Sequence, residues 1–201
     1  QSVMAQEKGS LLTADRTSSV SSSLEQLDIE SRLAQAESSF AKQRGQYPEY
    51  FDEAYARYPS IPRGLLESIA YVQSRWVHLT PNTYLNSHHH LPRAYGVMGL
   101  YRGEGFQNQI NQAAQLLGVE ENALLQDPRL NILAAAALLD RLIQDSGKSS
   151  TDPESLTSVI SQYAGFVDSK SNIQSYARDN FAYDVLLTLD RGVDGLSLIH
   201  I

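Results

Sequence analysis

The segment from Asp127 to Ile143 constrains this chain more than any other. Asp127-Pro128 supplies a capping carboxylate and a proline that the first helical turn tolerates. Behind it, Ala134 to Leu139 runs apolar without a break. A surface helix carries an apolar stripe, whereas a helix apolar over most of its circumference is buried on most sides. The pattern predicts a central core helix over 129–143, with other elements packed around it. A chain of 201 residues, 42% hydrophobic, is long enough to cover such a helix within one domain. That apolar fraction excludes disorder throughout.

Most of the remaining sequence reads as helix. Residues 7–23 are rich in Ser and Thr and form a flexible lead-in. Leu24, Leu27, Ile29, Leu33, Ala36 and Phe40 recur at helical spacing over 24–43, with Gly45 as the expected stop. A short aromatic helix is expected over 48–57. Ser60-Ile61-Pro62 then reads as the capped start of a helix reaching Trp76. Residues 77–93 hold two Pro, two Asn and three adjacent His, and read as a loop. A short helical or bent segment over 95–100 leads into Gly103-Glu104-Gly105. Further helices are expected over 106–117, 120–125, 152–163 and 172–189. Strand signals are nearly absent. The fold class is mainly α, a compact multi-helix domain with an N-terminal helical extension. The expected divisions are 1–23, 24–59, 60–195 and 196–201.

Composition narrows the function classes. No apolar run approaches the roughly 18 residues of a membrane helix. With Cys 0 there is no disulfide, thiolate metal site or Cys nucleophile. The 16 basic and 23 acidic residues give a net charge of -7, which argues against nucleic-acid binding. Val3-Met4-Ala5 resembles the end of a secretory signal, so export to the periplasm or beyond is expected. Leu196-Ser197-Leu198-Ile199-His200-Ile201 corresponds to one frame of a sequencing-library adapter and is set aside as a non-native tail. On that reading the natural chain continues past Gly195.

Four ordered segments over 60–190 resemble the lysozyme-like domain of soluble lytic transglycosylases and goose-type lysozymes. Ser68 to Trp76 fits a helix written A-I-A-x-x-E-S-x-F/W. Arg93 to Leu100 fits a G-A-x-G-L-M-Q-L turn. Asp127 to Leu139 fits D-P-x-x-N-I-x-x-G-x-x-Y-L, and Gln162-Tyr163-Ala164-Gly165 loosely fits A-Y-N-x-G. The resemblance implies a helical domain with a sugar-binding cleft, acting on peptidoglycan glycan strands without a cofactor. It also implies that Ser74, Trp76, Tyr95, Gly96, Met98, Tyr101 and Tyr163 contact the glycan. Domains of this kind are often joined to another wall hydrolase, such as an N-acetylmuramoyl-L-alanine amidase, so a C-terminal hydrolase domain is an expected partner.

The chemistry that the resemblance implies needs a carboxylic acid at the end of the first motif helix. Proton transfer requires a group that gives and takes a proton near working pH. Here that position is Gln73, whose amide only donates and accepts hydrogen bonds. Its loss removes at least the roughly 10²–10⁴-fold that such catalysis supplies. Leu66, Ile69, Gln73 and Trp76 fall on one helical stripe. Glu67 stands about 120° around the helix from Gln73, where a solvated surface residue is expected. The family's Gln in the turn is Gly99 here, its Gly is Ala135, its Tyr is Leu138, and its Asn is absent or Ala164. What remains is mainly scaffold.

Three function classes follow. The first is a module that binds glycan without cleaving it, or supports a neighbouring hydrolase. The second is an active enzyme with a relocated acid, for which Glu104 between two glycines is the candidate. The third is a structural or protein-interaction module. His88-His89-His90 carries imidazoles but no partner at metal-ligand spacing, so a flexible loop rather than a metal site is expected.

Overall fold

The computed structural model describes residues 30–31, 34–35, 38, 41–42, 44–81, 93–103, 107–148, 153–165 and 172–192. The chain forms two compact units, 1–45 and 46–201. In the first, the described residues are helical and exposed. Gly45 does not end that helix: it is itself helical and lacks a positive φ. Glycine in a helix costs only about 1 kcal/mol relative to Ala, too little to act as a stop alone.

The second unit is mainly helical. It begins with α1 (46–57) and continues with α2 (Leu65–Ser74), α3 (Gln109–Leu117), α4 (Glu121–Gln126), α5 (Pro128–Ser146), α6 (Thr157–Tyr163) and α7 (Asn172–Arg191). A 3-10 turn over Pro153–Leu156 leads into α6. Helix α5 is the centre: Asn131 to Leu139 are all buried, and α2, α3, α4 and α6 pack on it. Asp127 caps it by accepting from the Arg129 and Leu130 amides, with Pro128 in the first turn. Helix α7 packs on α2 and α6.

Tyr47, Phe51, Ala54 and Tyr55 on α1 enter the same core as α2 and α5. The boundary between units therefore falls at 45/46, ahead of the 59/60 division read from the sequence. Helix α2 starts at Leu65 behind Gly64, which sits at φ 88° and makes no side-chain cap. Ser60, expected as that cap, instead donates its hydroxyl hydrogen bond to Asp140 on α5.

The segment read as bent or helical is a hairpin. Strand β1 (Ala94–Tyr95) pairs antiparallel with β2 (Leu100–Tyr101), Ala94 opposite Tyr101. Gly96 donates to the Leu79 carbonyl at 2.7 Å, which ties the turn to the chain leaving α2. Among the described residues no helix is long and apolar enough to cross a membrane.

Candidate functional site

The site is built where the end of α2 meets the 96–99 turn. Gln73 is the second-last residue of α2 and is half-buried. A Cβ on Gly99 would lie 2.7 Å from the Gln73 Cβ, so the side chain of Gln73 lies directly over the bare backbone of Gly99. Gly99 adopts φ +60°, which glycine alone takes readily. The Gln73 amide makes no hydrogen bond among the described residues, so its donor and acceptor both remain available.

Asn131 on α5 holds the turn from behind and is fully buried. Its Oδ1 accepts from the Met98 amide at 2.9 Å. Its Nδ2 donates to the Tyr95 and Leu124 carbonyls at 3.3 and 3.2 Å. Its side chain occupies the place where a Cβ on Gly96 would be. Ser74 secures the other side of the same turn. Its hydroxyl lies within hydrogen-bond reach of the Ala70 and Val97 carbonyls, and its one proton serves one at a time.

The chain leaves α2 through Arg75 and Trp76, both with positive φ (55° and 60°). Bulky residues rarely adopt this conformation. The Trp76 indole folds back along α2, donating from Nε1 to the Glu67 carbonyl at 3.1 Å. Its ring packs on Tyr71 with centroids 5.2 Å apart, and the Arg75 guanidinium lies over the Tyr71 ring at 4.3 Å. The result is a half-buried aromatic pair at the end of the helix that carries Gln73.

The structure separates the candidate residues into two groups. Gln73, Trp76 and Tyr101 are half-buried. Ser74, Gly96 and Met98 are buried scaffold of the turn, and Tyr95 is buried with them. Tyr163 is only 2% exposed and stacks on Phe181 of α7 at 6.4 Å, so its ring is core rather than an open face. Glu104 and His88-His89-His90 lie outside the described residues. Among the described residues no cluster of three or more His, Cys, Asp or Glu is placed to hold a metal.

Glu67 is not a solvated surface residue: it is 4% exposed. Tyr55 on α1 donates its hydroxyl to the Glu67 carboxylate and accepts from the Leu66 amide at 3.0 Å. The far side of α2 is thus covered by α1, which helical spacing within α2 cannot reveal. Burial pushes the Glu67 carboxyl above the usual carboxylate range, against the hydrogen bond from Tyr55. Burial, and then the charge of Glu67, push the Tyr55 phenol well above its ordinary value.

His78 lies just beyond α2 and is also buried. Its Nε2 is 3.2 Å from the Leu125 carbonyl, whereas Nδ1 has no partner. Burial holds its pKa below the ordinary imidazole value. Nothing in the local pattern singles this residue out, since it falls in a segment read as loop. No family model, curated protein or solved structure matches this chain.

Proposed function

We propose that this chain is a lysozyme-like module that binds peptidoglycan glycan strands, or supports a neighbouring cell-wall hydrolase domain, without cleaving glycosidic bonds. Its place would be outside the cytoplasm. The observation that carries the reading is Gln73: a half-buried amide with no hydrogen-bond partner among the described residues, beside the glycine turn and where the resemblance expects an acid. An amide there holds a hydroxyl or an acetamide but has no proton to transfer near neutral pH. Trp76 and Tyr101 supply partly open rings close in sequence to that site, and aromatic faces pack well on apolar ring surfaces.

The nearest carboxyl along α2, that of Glu67, is held by Tyr55 in the core and does not replace the missing acid. The alternative acid is Glu104. The burial of Ser74, Tyr95, Met98 and Tyr163 favours a second reading, a structural module whose cleft is filled by its own side chains.

Titration of the labelled chain with chitooligosaccharides or muropeptides, followed by NMR, separates these readings. Binding in the range of about 10 μM to 1 mM with shifts at the Gln73 side-chain amide and the Trp76 indole is the expected result. Absence of such shifts at millimolar ligand leaves the structural module. Glycosidic turnover that is abolished by Glu104→Gln would establish an enzyme with a moved acid.

A further inference from the structure

Helix α7 carries two apolar faces. The inner one, with Phe181, Ala182 and Val185, packs on the core. The opposite face bears Ile173, Tyr176, Asn180, Tyr183 and Leu187, spaced three and four residues apart. Ile173, Tyr176 and Tyr183 are 82%, 70% and 62% exposed. Among the described residues they are three of the four large apolar side chains left open to solvent. Exposed apolar residues scattered singly are ordinary, but a continuous stripe of them marks a surface that another molecule covers.

The spacing is that of a coiled-coil seam. Ile173, Asn180 and Leu187 stand at a, and Tyr176 and Tyr183 at d, over two successive heptads. The stripe runs about 21 Å along the helix. A lone asparagine at an a position fixes register against a partner helix at some cost in stability.

Charge selects the occupant. Asp184 flanks the stripe on one side, and Asp179 and Asp190 on the other. All three are exposed and form no ion pair among the described residues. The base on this face is Arg191, at the helix end. A second copy laid in parallel would set Asp179 of one copy against Asp184 of the other, and in either direction acids outnumber bases along the joint. The same acids disfavour an anionic membrane surface.

We infer that the outer face of α7 docks a cationic amphipathic helix of a partner protein, with apolar residues at its own a and d positions, Lys or Arg beside them, and a polar side chain opposite Asn180. The Tyr176 and Tyr183 rings pack on its apolar stripe while their hydroxyls stay at the wet rim. Asp179 and Asp184 pair with its bases, which governs the choice of partner more than the affinity. A seam of two heptads is short, so the contact belongs to the weak, transient class. It uses no residue of the Gln73 site and stands whether or not that site holds glycan.

The test is an NMR titration of the labelled full chain with two synthetic three-heptad peptides. Both carry Leu at a and d with one central Asn at a; one has Lys at e and g, the other Glu. The Lys peptide is expected to shift the Ile173 methyls and the Tyr176 and Tyr183 rings, and the Glu peptide to leave them in place. Asp179→Lys with Asp184→Lys is expected to weaken the Lys peptide about tenfold and to admit the Glu peptide, with the thermal midpoint held because both positions are exposed. Equal binding of the two peptides, binding that survives Tyr176→Ser with Tyr183→Ser, or no shift on α7 at about 1 mM peptide would each overturn the inference. So would a free chain that sediments as a dimer through this face, since a second copy would then be the occupant.

Discussion

Asn131 fills the space that a side chain on Gly96 would need. The fit is reciprocal, because the same amide satisfies the Met98 amide and the Tyr95 and Leu124 carbonyls. Asn131→Ala leaves these buried groups unpaired and is expected to cost about 2–4 kcal/mol. Gly96→Ala forces a Cβ into Asn131 at φ +77° and is expected to cost at least as much. Chemical denaturation of both variants and of the double variant checks this. The double variant should be less destabilised than the sum, because both changes break the same contact.

The Gln73–Gly99 pair makes a related prediction. Gly99→Gln would supply the residue that the resemblance expects, but its Cβ meets the Gln73 Cβ at a left-handed backbone position. A loss of about 1–3 kcal/mol in stability is expected, read by thermal melting. Gln73→Glu should fold, yet it should not release 1,6-anhydromuropeptides from purified sacculi, because the turn still lacks its polar group. Chromatography of the soluble products reads the outcome.

Glu67 makes stability depend on pH. Its folded-state pKa is raised above its ordinary value of 4.5. Its contribution is therefore fully present below that value and is lost as pH rises through the folded pKa. Glu67→Gln keeps an acceptor for Tyr55 and removes the buried charge. It is expected to raise stability at pH 7 and to flatten this part of the pH profile. A variant less stable than the parent at pH 7 but equally stable at pH 4 would contradict the assignment.

His78 acts in the opposite sense. Its folded-state pKa is below the ordinary 6.5. Stability is fully present above 6.5 and falls as pH drops through the folded pKa, because the unfolded chain takes the proton first. The difference in thermal midpoint between the parent and His78→Gln should therefore shrink or reverse between pH 7 and pH 5. A constant difference would place the histidine's proton uptake elsewhere.

How much of this was legible depended on how long each signal ran. Helix α5 carried a cap, a proline and an unbroken apolar stretch, all pointing to one element. The hairpin strands are two residues each, too short for any alternation to register. Ser60 looked like a cap because Pro62 follows it, but the left-handed turn at Gly64 takes over the helix start. Glu67 is buried rather than solvated because Tyr55, which arrives from α1 and leaves no trace in a helical wheel of α2, covers it. The resemblance assigns Tyr163 to the cleft, but its burial and its packing on Phe181, which arrives from α7, place the ring in the core. Gln73 was placed correctly at the end of its helix because the spacing from Ser68 to Trp76 lies within one element and its exit turn. Its closeness to Gly99 depends on the hairpin, which the sequence left undefined.

The most direct measurement is to incubate the chain with purified sacculi, sediment them, and assay both fractions. The chain is expected to be retained with the pellet, with retention falling in Gln73→Leu and no anhydromuropeptides entering the supernatant. Release of such products by the unmodified chain, or retention unchanged by Gln73→Leu, would contradict it.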